Sequence, residues 1–339
     1  MQSLNIVFPQ PLQIETREES VDEPGPGMVL CQAERSLISI GTESICLQGR
    51  FDAGTNWDQW VKYPFHPGYS MVGRVIASGS GVTKLHEGDL VAVSMSHRQY
   101  FNVAEDHAHL LPAGISPEDG TWMSLACTTQ LGVRRAALEL GESVGIIGSG
   151  MLGQLVTQYL YTFGARRIII IDPVEGRLAI AAAHGATHTL AMSVADAHDE
   201  IARITDGAML DVVFDITGNS AVLAPAIRLV RPLGRIVLLG DTPLPTQQHL
   251  GPGFLSNSVA LLSIHGTMSP AQATPFAPWS QRAMTDLFFD YLLQGRMNVA
   301  DLVTSRNDPR QAPAIYEGLL RDRSKSLGTI FDWSKLTPA

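Results

Sequence analysis

The sequence has few cysteines, few basic residues and no long apolar run. Its three cysteines, Cys31, Cys46 and Cys127, form no CxxC pair, so we expect neither a disulfide framework nor a cysteine-rich zinc lobe. Basic residues number 24 against 33 acidic ones, a formal net charge of −9, which argues against a nucleic-acid partner and against a membrane-surface partner. No stretch approaches the roughly 18 apolar residues of a membrane span, and the N-terminus lacks a signal-peptide pattern. These absences favour a cytoplasmic protein.

Apolar residues are abundant, and they follow two different patterns along the chain. They make up 45% of 339 residues, which suits a large buried core in a chain long enough for two domains. Residues 1–121 hold short β-branched runs between Gly/Pro turns, which predicts a β-rich, barrel-like domain. Residues 122–266 alternate apolar strands with helical segments, which predicts a parallel sheet covered on both faces. We expect residues 267–339 to fold back and complete the first domain, so the predicted class is α/β.

The most specific motif is a glycine-rich turn between a predicted strand at 143–147 and a predicted helix at 151–163. It comprises Gly148, Ser149, Gly150, Met151, Leu152 and Gly153. In such a motif the first glycine permits a tight turn, the second lets the backbone approach a pyrophosphate, and the third allows close helix–strand packing. Asp172 lies about 20 residues after Gly153, where an acid binds a ribose diol and repels a 2′-phosphate. The motif therefore predicts a dinucleotide site that takes NAD in preference to NADP.

Further cofactor contacts are predicted where later strands end. Arg177, on the next predicted helix, either lies along the adenosine or is a solvated surface arginine. Thr217-Gly218 and Leu239-Gly240-Asp241 each follow a predicted strand, and ligands bind outside the carboxyl ends of parallel strands. We expect both segments near the cofactor, with Asp241 also near the substrate, unless they are ordinary turns.

Several motifs together resemble those of the medium-chain dehydrogenase/reductase superfamily, and they span nearly the whole chain. Besides the glycine motif they are SIGTE (39–43), HPGYSMVGRV (66–75), GDLV (88–91), LP (111–112) and TT (128–129). The resemblance implies a GroES-like β-rich catalytic domain plus a Rossmann domain with a doubly wound parallel sheet, and an active site in the cleft between them. It also implies that Thr129 lies near the nicotinamide. Finally, it implies a homodimer or homotetramer that pairs through the last Rossmann strand, near residues 260–264.

The sequence departs from the zinc-dependent members of this superfamily at the positions that hold the metal. By the resemblance, those members place a cysteine at Ile40 and a third ligand near Leu125. They place a histidine and a glutamate at Tyr69 and Ser70. Zinc binds thiolate, imidazole or carboxylate groups, which Ile40 and Leu125 lack. The chain thus resembles a zinc-independent branch, similar to bacteriochlorophyllide-type and sugar-type dehydrogenases, and no metal is expected.

Without zinc, side chains must take the hydroxyl proton and stabilise the developing alkoxide. Tyr69 is a candidate donor or acid/base, although its ordinary pKa of about 10 would need lowering for it to act as a base. By the resemblance, Thr42 is a proton-relay hydroxyl, and Glu43 is an acid that here orients Tyr69 or His66. His66 is the fourth catalytic candidate. In the alternative, Glu43 is a buried acid satisfied by backbone amides and Tyr69 only fills the space of the missing zinc.

The segment at 51–63 carries Trp57, Trp60 and Tyr63 among polar residues. Aromatic side chains of this kind either stack on a sugar-like ring of the substrate or form a hydrophobic plug or a subunit contact.

The sequence therefore predicts an NAD-dependent, zinc-independent oxidoreductase. It would transfer hydride between the nicotinamide and a secondary alcohol or ketone of a polar, sugar- or cyclitol-like small molecule. Two alternatives stay open: an enoyl or quinone reductase that delivers hydride to a conjugated C=C, and a non-catalytic NAD(H)-binding sensor. Asp172 disfavours the NADPH that many such reductases use, and the presence of Thr42, Glu43 and Tyr69 argues against a sensor.

Overall fold

The computed structural model describes residues 1–270 and 272–336, and it divides into two compact units. Unit 1 comprises Met1–Ser124, Thr285–Leu293 and the chain from Asn298 onward; unit 2 comprises Leu125–Met284 and Gln294–Met297. The domain limits drawn from the sequence, at residues 121 and 266, stay predictions. Ala271 and residues 337–339 of the expected C-terminal segment lie outside the described residues.

Strands dominate unit 1, and strands alternate with helices in unit 2. The strands are β1 (Gln2–Val7), β2 (Glu15–Ser20), β3 (Met28–Ile38), β4 (Met71–Ser78), β5 (Leu90–Val93), β6 (Tyr100–Ala104), β7 (His109–Leu110), β8 (Ser143–Ile147), β9 (Arg167–Ile171), β10 (His188–Leu190), β11 (Leu210–Asp215), β12 (Val230–Leu238), β13 (Ala260–Ser263), β14 (Val303–Asn307) and β15 (Gly328–Asp332). The α-helices are α1 (Ile40–Gln48), α2 (Asn56–Trp60), α3 (Pro117–Gly120), α4 (Met123–Arg135), α5 (Met151–Phe163), α6 (Glu175–Ala183), α7 (His198–Ile204), α8 (Leu223–Ile227), α9 (Gln281–Leu293) and α10 (Ala312–Arg321).

The seven-stranded sheet of unit 1 is organised around β3. Its order is β14-β15-β3-β4-β5-β7, and β6 also pairs with β3. Val29, Cys31 and Ala33 alternate along β3 and all face the same hydrophobic core, as the two-residue repeat of a strand requires. β15 pairs antiparallel with β3, so a strand near residue 330 joins a sheet that is formed largely by residues of the first third of the chain.

The six-stranded sheet of unit 2 is parallel throughout, with the order β10-β9-β8-β11-β12-β13. Numbered from β8, this is the 3-2-1-4-5-6 order of a doubly wound dinucleotide-binding fold, so the predicted α/β class is confirmed. The apolar sequence of β9, RIIII, is buried from Ile168 to Ile171, as expected for a strand covered on both faces. Among the described residues, no helix is long and apolar enough to cross a bilayer.

Helix α1 was not foreseen in a region that was expected to consist of strands. It ends at Gly49, whose φ of +62° and bond from its N–H to the Ile45 carbonyl are typical of a left-handed helix cap. Its first turn carries Thr42 and Glu43, so this short helix positions two of the predicted catalytic residues.

Candidate active site

The glycine motif forms the turn from β8 into α5. Gly148 has a φ of +102°, in the left-handed region that glycine adopts without strain. A Cβ on Gly153 would lie 2.0 Å from the Gly148 carbonyl oxygen, so only glycine lets α5 pack this closely on the strand end. Gly150, at the N-cap of α5, has open space where a Cβ would stand. The position beside the helix N-terminus is therefore accessible to a phosphate group, which free backbone N–H groups would bind.

Asp172 follows β9 and supports the glycine turn from the side. Its Oδ2 accepts the Ser149 N–H at 2.8 Å, and its Oδ1 accepts the Val174 N–H at 2.8 Å. Each carboxylate oxygen has a second lone pair, which a ribose hydroxyl can use. The Ser149 side chain is buried, and the Gln154 amide donates to its Oγ and to the Arg177 carbonyl, each at 2.9 Å. The Ser149 Oγ also donates to the Arg177 carbonyl at 3.2 Å, so the Ser149 side chain ties the turn to α6, and its backbone N–H binds Asp172.

The ends of β8, β11 and β12 come together where the strand order reverses. A Cβ on Gly148 would lie 3.3 Å from Cγ2 of Thr217. The Thr217 hydroxyl donates to Asp215 Oδ1 at 2.7 Å, and this bond opposes the burial that raises the pKa of Asp215. A Cβ on Gly240 would lie 2.4 Å from the Gly218 nitrogen, so the loops after β11 and β12 touch backbone to backbone. Such a switch point is where an open α/β sheet binds its ligand.

The other predicted cofactor residues of unit 2 differ in how deeply they are buried. Asp241 is exposed and Arg177 and Leu152 are half-buried, whereas Met151, Leu239 and Thr129 are buried. The Thr129 hydroxyl donates to the carbonyls of Leu125 and Ala126, both at 3.0 Å. It is thus satisfied by its own helix, α4.

In unit 1, Tyr69 and Thr42 lie together, and Ser39 joins them as a third hydroxyl. The Tyr69 hydroxyl donates to Ser39 Oγ at 2.6 Å, and Thr42 Oγ1 lies 3.3 Å from the Tyr69 oxygen. Burial raises the pKa of Tyr69 to about 12, although the hydrogen bonds with Ser39 and Thr42 oppose the shift. A catalytic base would need the opposite shift. At neutral pH Tyr69 is therefore a hydrogen-bond donor and not a base. These three residues are called the hydroxyl cluster below.

Glu43 is buried in the first turn of α1 with three donors around its carboxylate. Its Oε1 accepts the Ser39 N–H at 2.7 Å. Its Oε2 accepts the Tyr316 hydroxyl and lies 3.1 Å from Nε2 of His97, which is fully buried. Burial raises the pKa of Tyr316 well above its ordinary value, and the neighbouring Glu43 adds to the shift, so Tyr316 remains a donor.

His66 bonds to a different carboxylate. Its Nε2 lies 3.1 Å from both oxygens of Glu19 in β2. Burial alone would raise the pKa of Glu19, but the hydrogen bond from His66 and others outweigh it, and the pKa is lowered. In the described structure Glu43 thus bonds to neither Tyr69 nor His66, so the expected direct orientation of these residues by Glu43 is wrong. The Tyr69 hydroxyl bonds to Ser39 and the His66 ring to Glu19, whereas Glu43 bonds to Ser39, His97 and Tyr316.

The three predicted substrate-binding aromatics differ in exposure. Trp57 belongs to the core of unit 1, and the Tyr63 hydroxyl donates to the Cys46 carbonyl. Trp60 is 44% exposed, and its ring packs edge-to-face on Phe65 with 5.2 Å between centroids. Of the three, Trp60 alone presents much of its ring to solvent, and Trp57 fits the hydrophobic-plug alternative.

The side chains at the family's metal positions do not fit zinc. Ile40 and Leu125 are buried apolar residues, and Tyr69 and Ser70 offer neutral hydroxyls. Within residues 1–270 and 272–336, no group of three or more His, Cys, Asp or Glu side chains could hold a metal ion. A zinc-based step therefore has no ligand set in the described chain.

Two family models match the chain in succession. Residues 32–136 match the alcohol dehydrogenase GroES-like domain, and residues 152–281 match the zinc-binding dehydrogenase domain. Together the models cover well over half of the chain, in the order of the two units. The chain belongs to the medium-chain dehydrogenase/reductase superfamily. It is an oxidoreductase of that superfamily, although the described residues contain no group of His, Cys, Asp or Glu side chains that could hold a metal ion.

Relatives within the superfamily match most of the chain at low identity. Sorbitol dehydrogenase of Bacillus subtilis (strain 168) is 25% identical over 300 residues, covering 79% of this chain and 80% of the relative. D-guloside 3-dehydrogenase of Escherichia coli (strain K12) is 28% identical over 275 residues, covering 79% and 78%.

Solved structures of other dehydrogenases share the fold across nearly the full length. One from Sinorhizobium meliloti 1021, bound to NADP, has a TM-score of 0.81 at 20% identity, covering 98% of this chain and 99% of the other. An alcohol dehydrogenase from Escherichia coli CFT073, complexed with NADH, has a TM-score of 0.80 at 17% identity with the same coverage. At these identities the likeness establishes the fold alone.

Several site residues were not predicted from the sequence. Asp215 ends β11 as an acid, and Asp172 follows β9 in the same way, so the strand-end rule that identified Asp172 could have found Asp215. Ser39 lies inside the SIGTE motif but was not assigned a role. His97 and Tyr316 lie 54 and 273 residues from Glu43, and no local pattern connects them.

Proposed function

We propose that the protein is an NAD(H)-dependent, zinc-independent oxidoreductase that interconverts a secondary alcohol and a ketone on a polar, polyol-like substrate. One observation carries the proposal: the chain combines an open glycine turn at a sheet switch point with a hydroxyl cluster around Tyr69, a position that by the resemblance holds a metal ligand in zinc-dependent members. The first feature suits a dinucleotide. The second suits a substrate oxygen whose charge changes during hydride transfer.

The preference for NAD rests on Asp172. Backbone N–H groups of Ser149 and Val174 fix its carboxylate beside the glycine turn. There it would accept a ribose hydroxyl and repel a 2′-phosphate. The similar structures were solved with NADP in one case and NADH in the other, so the preference is argued from Asp172 alone.

The polyol class rests on the relatives and on the chemistry of the hydroxyl cluster. Sorbitol dehydrogenase and D-guloside 3-dehydrogenase are named for polyhydroxylated substrates. Ser39, Thr42 and Tyr69 both donate and accept hydrogen bonds, as recognition of a substrate hydroxyl requires. Trp60, with its partly exposed ring, is the aromatic we assign to the substrate.

When bound, the nicotinamide supplies or accepts the hydride. In the reducing direction, the carbonyl oxygen gains negative charge and then a proton. Tyr69 is protonated at neutral pH, so the hydroxyl cluster stabilises this oxygen by hydrogen bonds and passes it a proton, which solvent replaces. In the oxidising direction the proton acceptor would be the Tyr69 phenolate, which a pKa of about 12 leaves scarcely populated at neutral pH. The cluster therefore favours carbonyl reduction near neutral pH.

A substrate panel with metal analysis tests the proposal. Polyols, cyclitols, ketones, enones and quinones are supplied with NAD or NADH, and turnover is followed by NADH absorbance before and after chelation. We expect turnover of a polyol or its ketone, unaffected by chelation, without stoichiometric zinc. Chelator-sensitive activity with one zinc per chain would contradict zinc independence. Turnover confined to enones or quinones would favour a C=C reductase, and NADH binding without any turnover would favour a sensor.

We also propose a homodimer or homotetramer that forms along β13, the last strand of the unit 2 sheet. An edge strand presents unpaired backbone groups that a second copy can bind. Light scattering measures the mass, and a monomer would refute this proposal.

A further inference from the structure

Two separate chain segments set the position of the Tyr69 hydroxyl, and His97 contacts both segments. One segment is the start of α1, where Ser39 accepts the Tyr69 hydroxyl. The other is the turn before β4, where Gly68 precedes Tyr69. A Cβ on Gly68 would lie 2.8 Å from the His97 ring, and the His97 N–H donates to the Pro67 carbonyl at 2.8 Å.

The ring of His97 is fixed on its far side as well. Its Nδ1 lies 2.8 Å from Ser36 Oγ, which also accepts the Trp333 indole N–H at 2.9 Å. Nε2 faces the Glu43 carboxylate, which only accepts hydrogen bonds, so Nε2 carries a proton and donates to Glu43, and Nδ1 can accept the Ser36 hydroxyl. The Phe331 ring packs edge-to-face on the imidazole with 5.1 Å between centroids. His97 therefore has one orientation and no contact with solvent.

The carboxylate of Glu43 connects the His97 ring to the Ser39 backbone through hydrogen bonds. His97 and Tyr316 both bond to its Oε2, and this leaves Oε1 directed at the Ser39 N–H. Ser39 is the N-cap residue of α1, but its side chain makes no capping bond. A serine at this position usually accepts a helix N–H. Here Glu43 secures the Ser39 backbone, and the hydroxyl is available to Tyr69.

We propose that His97 is a positioning residue, which acts through Glu43 and Ser39 to hold the Tyr69 hydroxyl in place for the reaction. A continuous series of hydrogen bonds holds the Tyr69 hydroxyl in place. The series runs from Trp333 through Ser36, His97, Glu43 and Ser39 to Tyr69. The catalytic part of the inference rests on the proposed function; the structural part does not.

Two variants of His97 separate its two bonds. In His97→Gln, the amide nitrogen can reach the place of Nε2 and still donate to Glu43. In His97→Asn, the shorter amide can reach Ser36 but not Glu43.

Amide hydrogen exchange at Ser39 is the readout that needs no substrate, and the Val72 amide in β4 reports unfolding of unit 1 as a whole. Loss of a hydrogen bond to a charged group changes a local opening equilibrium by about tenfold or more. We therefore expect His97→Asn to speed Ser39 amide exchange by at least about tenfold relative to Val72 exchange. His97→Gln should stay within about threefold of the wild type.

Turnover gives the second readout, on the substrate identified above. We expect kcat to fall by about tenfold or more in His97→Asn, with KM for NADH unchanged, and to be largely restored in His97→Gln. If each variant changes Ser39 exchange and Val72 exchange by the same factor, the proposal is overturned, because His97 would then only stabilise unit 1. Altered Ser39 exchange with unaltered kcat would overturn the catalytic part.

If the protein turns over no substrate, the Ser39 exchange result still decides whether His97 holds Ser39, so failure of the proposed function is distinguishable. If His97→Asn does not fold, Ser36→Ala removes the hydroxyl that holds Nδ1 of His97 while keeping the imidazole ring. It must then speed Ser39 exchange relative to Val72, and an unchanged ratio would refute the proposal.

Discussion

At the scale of single residues, the groups that carry chemistry are defined by what surrounds them. Asp172 was predictable because a strand, a glycine motif and an acid recur in a fixed order along the chain. The partners of Glu43 were not, since His97 comes from a short loop and Tyr316 from near the C-terminus. Tertiary packing brings His97 and Tyr316 to Glu43, and the spacing of these residues along the sequence does not predict the contact.

The cofactor preference should depend on the charge of Asp172. Asp172→Ser removes the charge near a 2′-phosphate, so the ratio of NADPH to NADH dissociation constants should fall by about tenfold, which corresponds to about 1.4 kcal/mol. Fluorescence titration with both cofactors measures the ratio. Asp172→Asn keeps the size and one acceptor oxygen and should lower the ratio similarly. An unchanged ratio in both variants would remove Asp172 from the ribose site.

Removal of the Tyr69 hydroxyl should slow turnover more than it weakens cofactor binding. Tyr69→Phe should lower kcat by about a hundredfold, the usual contribution of one proton-transfer group, with little change in NADH affinity. Tyr63→Phe is the matched control, because its hydroxyl donates to the Cys46 carbonyl and does not belong to the hydroxyl cluster. Equal losses of kcat in the two variants would count against a specific role for Tyr69.

The pH profile of reduction should follow the raised pKa of Tyr69. Because that pKa is about 12, the phenol remains a proton donor throughout the neutral range. Any decline of kcat that depends on Tyr69 should therefore appear only as the pH approaches 12. Steady-state kinetics up to the highest pH at which the fold persists checks this. A Tyr69-dependent decline centred near pH 8 would mean that the phenol is much more acidic than its burial implies.

At the scale of elements, the apolar strands were the most predictable parts and the short helix α1 was the least. β8, α5 and β9 have the limits expected from the sequence, because continuous apolar runs and a glycine turn leave little choice. Helix α1 has the sequence IGTESICLQ, with no clear polar and apolar faces, and bonds from Glu43 to distant residues help to hold its first turn.

Two alanine substitutions should separate packing from binding in the glycine turn. Gly153→Ala places a Cβ against the Gly148 carbonyl, so it should lower the melting temperature and NADH affinity together. Gly150→Ala meets open space and should leave the melting temperature within about 2 °C of the wild type. It should still weaken NADH binding, because its methyl group occupies the approach of the pyrophosphate. Thermal unfolding and NADH titration of both variants test this. Unweakened binding in Gly150→Ala would place the phosphate elsewhere.

At the scale of the whole molecule, buried neutral groups limit stability at high pH. Burial raises the pKa of Cys31 from an ordinary value of 9.0 to about 12. The folded state therefore binds the proton more tightly than the unfolded state does. The resulting stability is fully present below pH 9 and is lost as the pH rises to about 12. For one such group the loss is at most about 4 kcal/mol.

Denaturant unfolding at a series of pH values measures this loss. Cys31→Ala should unfold more easily at pH 7, because it leaves a small cavity, but its free energy of unfolding should fall less steeply above pH 9. The same slope in both proteins would show that other groups dominate the alkaline loss.

The position of β15 beside β3 has a consequence for biosynthesis. A ribosome releases the chain from its N-terminus, so nearly all of unit 2 has emerged before β14 and β15 are made. The part of β3 from Arg35 to Ile38, which β15 covers, must therefore wait without that partner until β15 has been made, whereas β6 can pair with the first half of β3 much earlier. During that interval the nascent chain carries an exposed strand edge of the kind that chaperones shield and that invites aggregation.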